Sequence, residues 1–208
     1  MSFPVDDESL LAFGRYLAGR RPFALRVFLS QTEDEFIDAV EEGLEHGIVQ
    51  LEGARKEYAK LGELGLSRTL AGTLTESGVP AHPEEFENGH VDLKIKHPAG
   101  KPFLYLTECK IWQSVPYHKK GMTQLLRDYA SGRHKRGCCL EFVRVMGTAT
   151  KLKDIRNHVD QHKPLDQVDK AVDHKTIKGG FVTTHKHSSD WKVEVLHVAC
   201  NLFQPPKE

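Results

Sequence analysis

Three charged residues stand where a β-hairpin would be expected to be apolar. The stretch GHVDLKIKHPAGKPFLYLTECKIW, residues 89–112, holds two strand-like runs around a Pro-Ala-Gly-Lys-Pro turn, with Asp92 on the first run and Glu108 and Lys110 on the second. Side chains alternate along a strand, so Val91, Leu93 and Ile95 are expected on one face and Asp92, Lys94 and Lys96 on the other. Glu108 and Lys110 likewise share a face, with Leu104 and Leu106 behind them. A turn centred on Gly100 sets Asp92 across from Glu108. Two carboxylates on adjacent, mostly buried positions repel one another unless something compensates. A divalent cation does so economically, and a few hard oxygen ligands suit Mg²⁺ or Mn²⁺ better than zinc. Lys110 would then position or help deprotonate a water, or offset charge on a phosphate under attack. The same residues would also serve as ordinary exposed cross-strand pairs.

The elements expected to position these groups follow from periodicity. LLAFGRYL reads as a helix, RPFALRVFL as extended chain, and Thr32 to Gly47 as a second helix with a Thr32–Glu35 capping box and Phe36, Ile37, Val40 and Leu44 at helical spacing. A longer helix is expected from Leu51 to Ser77, stopped by Gly78 with Pro80 beyond. After the hairpin, Met122, Leu125, Leu126 and Tyr129 mark an amphipathic helix over Gly121 to Ser131. Cys138 to Met146 reads as a buried strand, and residues 148–178 as a polar insertion with short helical patterns such as Leu152, Ile155 and Val159. Residues from Gly179 to Phe203 read as a hairpin turning near Ser188 to Asp190. The division expected is accessory helices over residues 1–50 and an α/β domain over residues 51–208.

Asp92, then Glu108-Cys109-Lys110 on the next strand, then a helix carrying Gln124, resembles the PD-(D/E)xK, or restriction-endonuclease-like, nuclease superfamily. The resemblance spans about Leu51 to Met146, and it departs at Val91, where the motif name has proline. It implies a core of mixed sheet flanked by helices and metal-dependent hydrolysis of phosphodiester bonds, of DNA more than RNA. It further implies a Mg²⁺ or Mn²⁺ ion held by Asp92, Glu108 and the main-chain carbonyl of Cys109. The superfamily often adds a glutamate from the preceding helix. Glu63 lies on the inward stripe of Leu66, Leu70 and Leu74, and is also a carboxylate favoured by a helix start; Glu57 is the alternative. Gln124 is expected beside the site with Tyr129 packing beneath it. Lys119, Lys120, Arg127 and the run Arg133, Lys135 and Arg136 would contact backbone phosphates or form a solvated helix end. Fold-level analogy connects such enzymes with restriction, repair or antiviral defence, and with homodimers or partners docked on N-terminal helices. A module of the same fold that binds nucleic acid or protein without catalysis is the alternative.

Composition narrows the remaining classes. The chain has 208 residues, 39% of them hydrophobic and 28% charged, and zero formal net charge. No apolar run approaches the roughly 18 residues of a membrane span, and the first residues lack a signal-peptide pattern, so a cytoplasmic protein with reduced Cys109, Cys138, Cys139 and Cys200 is expected. The charge is divided: Gln31 to Glu63 holds ten acidic and three basic residues, and His90 to Arg136 ten basic and three acidic. A locally anionic partner suits the basic part, with the acidic helix held away from it. His158 with His162, and His185 with His187, are spaced for zinc, but neither pair brings a third ligand and no HExxH occurs, so these are read as surface or hairpin histidines. No GxSxG, phosphate-loop or GxGxxG pattern is present. Cys109, on the opposite strand face, is discounted as a nucleophile.

Overall fold

Thr32 opens the first long helix as its pattern requires. In the computed structural model, which describes residues 7–83 and 91–205, Thr32 Oγ1 accepts the Glu35 N–H while the Glu35 carboxylate accepts the Thr32 N–H. This capping box starts α3 (Glu33–Gly53), which follows α1 (Asp7–Arg20) and α2 (Ala24–Leu29). The extended reading of RPFALRVFL is corrected by α2: a single turn or so of helix buries Val27 and is closed by Ser30 Oγ donating to the Val27 carbonyl. The expected continuous helix from Leu51 to Ser77 is also broken, into the end of α3, a short α4 (Arg55–Tyr58) and α5 (Glu63–Ser77). Gly53 and Gly62 flank the breaks, and the Arg144 guanidinium clamps the carbonyls of Tyr58 and Leu61 just ahead of α5.

Among the described residues, seven strands form one mixed sheet. They are β1 (Ala81–Pro83), β2 (Leu93–Lys96), β3 (Leu104–Ile111), β4 (Arg136–Val143), β5 (Val172–Asp173), β6 (Phe181–Lys186) and β7 (Lys192–Asn201), in the order β1-β2-β3-β4-β7-β6-β5. β3, β4 and β7 run parallel at the centre, and the flanking pairs are antiparallel. Between β3 and β4 the chain crosses over as α6 (Val115–Thr123), which continues into a π-helical turn over Gln124–Tyr129. α7 (Thr148–His162) follows β4 and buries Leu152, Ile155 and Val159 as their spacing predicts. The terminal hairpin is β6 with β7, and β1 and β5 are short edge strands that periodicity did not reveal.

Both faces of the sheet are covered, which explains why the central strands read as almost continuous apolar runs. One face carries Tyr105, Cys109, Leu140, Phe142, Leu196 and Val198 against α3 and α5. The other carries Leu106, Cys139, Phe181 and Val195 against α6, the π turn and α7. Leu93 and Ile95 pack on the first face as expected, whereas Val91, just outside β2, belongs to the second. α3 is therefore not an appendage: Phe36, Ile37, Val40 and Leu44 lie in the principal core. Among the described helices α1 and the short α4 bury nothing, and α1 leaves Leu10, Leu11, Phe13 and Tyr16 exposed.

The expected separation of acidic helix from basic segment is overturned. Glu33 accepts the Lys135 N–H at 2.8 Å, Asp34 pairs with the Lys135 ammonium, and Glu41 takes Arg136 at 2.9 Å. Glu41, 1% exposed, also receives the Tyr105 hydroxyl and a His174 ring nitrogen, both at 2.9 Å. It thereby ties α3 to β3, β4 and the loop after β5. Glu41→Ala leaves the Tyr105 phenol buried without its acceptor and Arg136 with Glu194 alone, and should cost about 3–5 kcal/mol in urea unfolding; a loss below about 1 kcal/mol would show that the cluster only fills space.

Candidate active site

The register at the hairpin is the one the turn predicts. Leu93 pairs with Thr107, Ile95 with Tyr105 and Lys96 with Leu104, and Gly100 adopts φ 75° in the turn, a left-handed conformation that glycine takes without steric cost. Continued by one residue, that register sets Asp92 opposite Glu108. The Asp92 carboxylate accepts the Cys109 N–H at 2.8 Å, so Asp92 lies on the flank of β3 that β2 has ceased to cover. The N–H and C=O of one strand residue point to the same neighbour, so the Cys109 carbonyl faces that flank too. Ile111, two residues on, donates its N–H to Glu63 Oε2 at 2.9 Å from the same side. Asp92, the Cys109 carbonyl and Glu63 thus border one open edge of β3. Glu63 reaches it as the first residue of α5; Glu57, on α4, is exposed and elsewhere.

Glu108 and Lys110 project from β3 beneath α6. The helix passes over them at Gly121, where a Cβ would stand 3.4 Å from the Cγ atoms of both. Glu108 is 2% exposed; its Oε1 pairs with the Lys110 ammonium, and its Oε2 is buried without a hydrogen-bond partner. Burial, with the Asp92 charge second, pushes the Glu108 carboxyl up to about 7, in spite of Lys110. Lys110 also bonds Glu63 Oε1 at 3.3 Å. Burial alone would lower its pKa, but the hydrogen bond and charge of Glu108, with Asp92 and Glu63, raise it above the ordinary lysine value. Lys110 is therefore an ammonium at neutral pH, suited to stabilising negative charge and unsuited to taking a proton from water.

Gln124 sits at the junction of α6 and the π turn. Its amide donates to the Tyr129 hydroxyl at 3.3 Å, and its Oε1 is buried without a partner. Tyr129 is pushed up to about 12 by burial and then by the charges of Glu108 and Asp92, which places this pair within the field of the site. π turns inside helices recur at functional sites because they re-aim side chains. Cys109 lies on the other face in the principal core, its thiol pushed up by burial and by Asp92, which removes it as a nucleophile.

Two further groups adjoin the site. Glu141 is paired with Lys110 in the β3–β4 register and is 1% exposed. Its Oε1 meets His118 Nδ1 at 2.8 Å and its Oε2 has no partner. From His118 a buried chain continues through His197 (2.9 Å), Thr183 (2.8 Å) and His185 (2.7 Å) to the Leu165 carbonyl (3.0 Å). This polar belt crosses the sheet from β4 to β6 and pins α6 over the site. Both His185 and His187 belong to the terminal hairpin, one of the two places expected for them; His185 is buried on β6 and His187 lies at the turn. Sequence reading passed over Glu141 although it carries the same mark as Glu108, a carboxylate inside an apolar strand. His118 was overlooked although it shares the helical stripe of Met122 and Leu125.

The basic residues divide. Lys119, Lys120, Arg127 and Arg133 are exposed on the α6 side and at its end. Lys135 and Arg136 are occupied by α3 and by Glu194, so Arg136 in particular is a structural cation rather than a phosphate contact. His158 and His162 stack at 4.3 Å, and among the described residues no group of three His, Cys, Asp or Glu side chains is arranged to hold a metal ion. The oxygens available at the candidate site are two or three carboxylates and one main-chain carbonyl.

The belt has a consequence for acid stability. Burial, then the neighbouring His118 and His185, hold His197 well below the ordinary histidine value. Its folded pKa lies under its unfolded one, so its contribution is complete above 6.5 and is lost as pH falls from there through the folded value. His197→Gln should flatten the acid limb of a thermal-stability profile below pH 6.5; an unchanged limb would place the titration elsewhere. No family model, curated protein or solved structure matches the chain.

Proposed function

We propose that the chain is a divalent-cation-dependent nuclease of the PD-(D/E)xK type, acting on DNA in preference to RNA. The observation that carries this reading is Glu108, a buried carboxylate with one oxygen unpartnered, aligned with Asp92 across the hairpin and touching Lys110. The oxygens of Asp92, Glu108 and the Cys109 carbonyl fit a small hard cation whose other positions are filled by water and phosphate. Bound there, Mg²⁺ or Mn²⁺ supplies a Lewis acid and a water of lowered pKa.

The chain's own residues divide the remaining work. Glu108 Oε2 would hold the cation while Oε1 keeps Lys110 in place, and Glu141 on the neighbouring strand carries a further unpartnered oxygen beside Lys110. Glu63 keeps Lys110 at the edge of β3, where its charge offsets that developing on the phosphate. Gln124 holds a water or phosphate oxygen beside Glu108. Lys119, Lys120 and Arg127 contact the nucleic-acid backbone. The exposed apolar residues of α1 are the surface for self-association or a partner, which light scattering on the full chain and on Leu11→Asp checks.

Incubation with plasmid, single-stranded DNA and RNA, with Mg²⁺, Mn²⁺ or EDTA, tests the reading. Cleavage should need the cation and fall by a factor on the order of 10²–10³ or more in Asp92→Ala and Lys110→Ala. Cleavage indifferent to both substitutions removes the site assignment, and no cleavage of any substrate favours a catalytically inactive binding module. A second check needs no substrate. A cation must displace a proton from Glu108, so Mn²⁺ should raise the melting temperature more strongly as pH rises through about 7. Glu108→Gln should abolish that increment.

A further inference from the structure

Trp191 is 68% exposed, the most exposed aromatic ring among the described residues' large apolar side chains, and folding does not account for its position. It lies on the turn between β6 and β7, and that turn is closed by groups other than the indole. The His187 N–H donates to the Trp191 carbonyl and the Asp190 N–H to the His187 carbonyl, both at 2.9 Å. The His187 ring meets Ser189 Oγ at 2.8 Å and, at 3.1 Å, the Ala130 carbonyl at the end of the π turn. Gly132 completes the contact: at φ 75° it lies so close that a Cβ would stand 2.3 Å from Ser189 Oγ. The indole is thus displayed on a turn braced from beneath, with little ordering left for a ligand to impose.

The surroundings define the ligand. Trp191 borders a groove of about 660 Å³ with Arg133 and Lys192, both exposed and neither in an ion pair among the described residues, and with Glu33, whose carboxylate is engaged by the Lys135 N–H. The groove lies where β4 and β7 begin. Glu141, beside Lys110, is five residues further along β4 than Arg136, roughly 16 Å away. α6 and the π turn run between the two places, exposing Lys120 and Arg127 on the way. An aromatic face beside cations, reached from the candidate site along a basic helix, is the arrangement that takes an unstacked base and its phosphates. Bases within a duplex are already stacked and present no free face.

We propose that the β6–β7 turn is a binding site for single-stranded nucleic acid, in which Trp191 stacks on an unpaired base while Arg133 and Lys192 hold the flanking phosphates. This site rests on the nuclease reading for its biological role but not for its test. In a Trp112→Phe background, where Trp191 is the remaining tryptophan, oligo(dT), oligo(U) and a blunt duplex are titrated in EDTA and the indole emission is followed. The single strands should quench it, and the duplex should not. Trp191→Ala should weaken single-strand binding by roughly tenfold in fluorescence anisotropy, the scale of one base stack, with Trp191→Phe in between. Arg133→Ala with Lys192→Ala should lower the salt dependence of binding. An unchanged emission, or equal affinity in Trp191→Ala, overturns the site even where cation-dependent cleavage is found. Quenching and binding without any cleavage leave this site standing and overturn the nuclease reading.

Discussion

Compensation of buried carboxylates is the constraint around which this structure is arranged. Glu41, Glu108 and Glu141 are each 2% exposed or less, and each lies against a different part of the sheet. An ionised group in such a place is tolerated only where cations or donors surround it. Glu41 is fully served, by Arg136, Tyr105 and His174, and the result is that α3 is fixed to the strands. Glu141 is served on one oxygen by His118, which fixes α6. Glu108 is served on one oxygen by Lys110, a side chain of its own strand, and so fixes no other element. The carboxylate that does least for the architecture is the one left with capacity for a ligand.

The parallel order of β3, β4 and β7 makes this possible. Their common direction lets side chains of one face line up across the strands, Lys110 level with Glu141 and Glu108 two residues back in the row that ends at His197, so that these polar groups lie together under a single helix. α6 covers that row and the apolar residues beside it together, and Gly121 lets it come close. On the opposite face the same strands offer mostly apolar side chains to α3 and α5, with the Tyr105 hydroxyl and Arg136 meeting Glu41 as the polar exceptions, and Cys109 takes part there as a small hydrophobe.

How much of this was legible in the sequence depends on the distance over which each feature is determined. The Asp92–Glu108 juxtaposition was readable because a short turn and strand alternation fix it locally. The capping box of α3 and the stripe of the helix after β3 were readable for the same reason. The pairing of Lys135 and Arg136 with α3 was not, since it joins residues some hundred positions apart, as Arg136 and Glu41 do across 95. Charge counted along the chain separated what the fold brings together. The break ahead of Glu63 escaped notice because its cause is tertiary, the clamp of Arg144 on two loop carbonyls. His185 lies in the terminal hairpin, one of the two places its spacing allows, but its burial rests on Thr183 of its own strand and on the Leu165 carbonyl twenty residues back, which a spacing of two does not reveal.

The π turn over Gln124–Tyr129 carries one residue more than an α-helical path of the same form would need. Each residue of an α-helix advances its phase by about 100°. The chain before Gln124 is helix fitted over Glu108 and Lys110, and the π turn ends at Ala130, whose extended backbone brings its carbonyl to the braced turn at His187. One crossover thus meets two separate geometrical demands, and the extra residue sets where it leaves the helix for the second. An insertion or deletion of a single residue at this point is a step by which such a helix could acquire or lose its second contact while keeping the first.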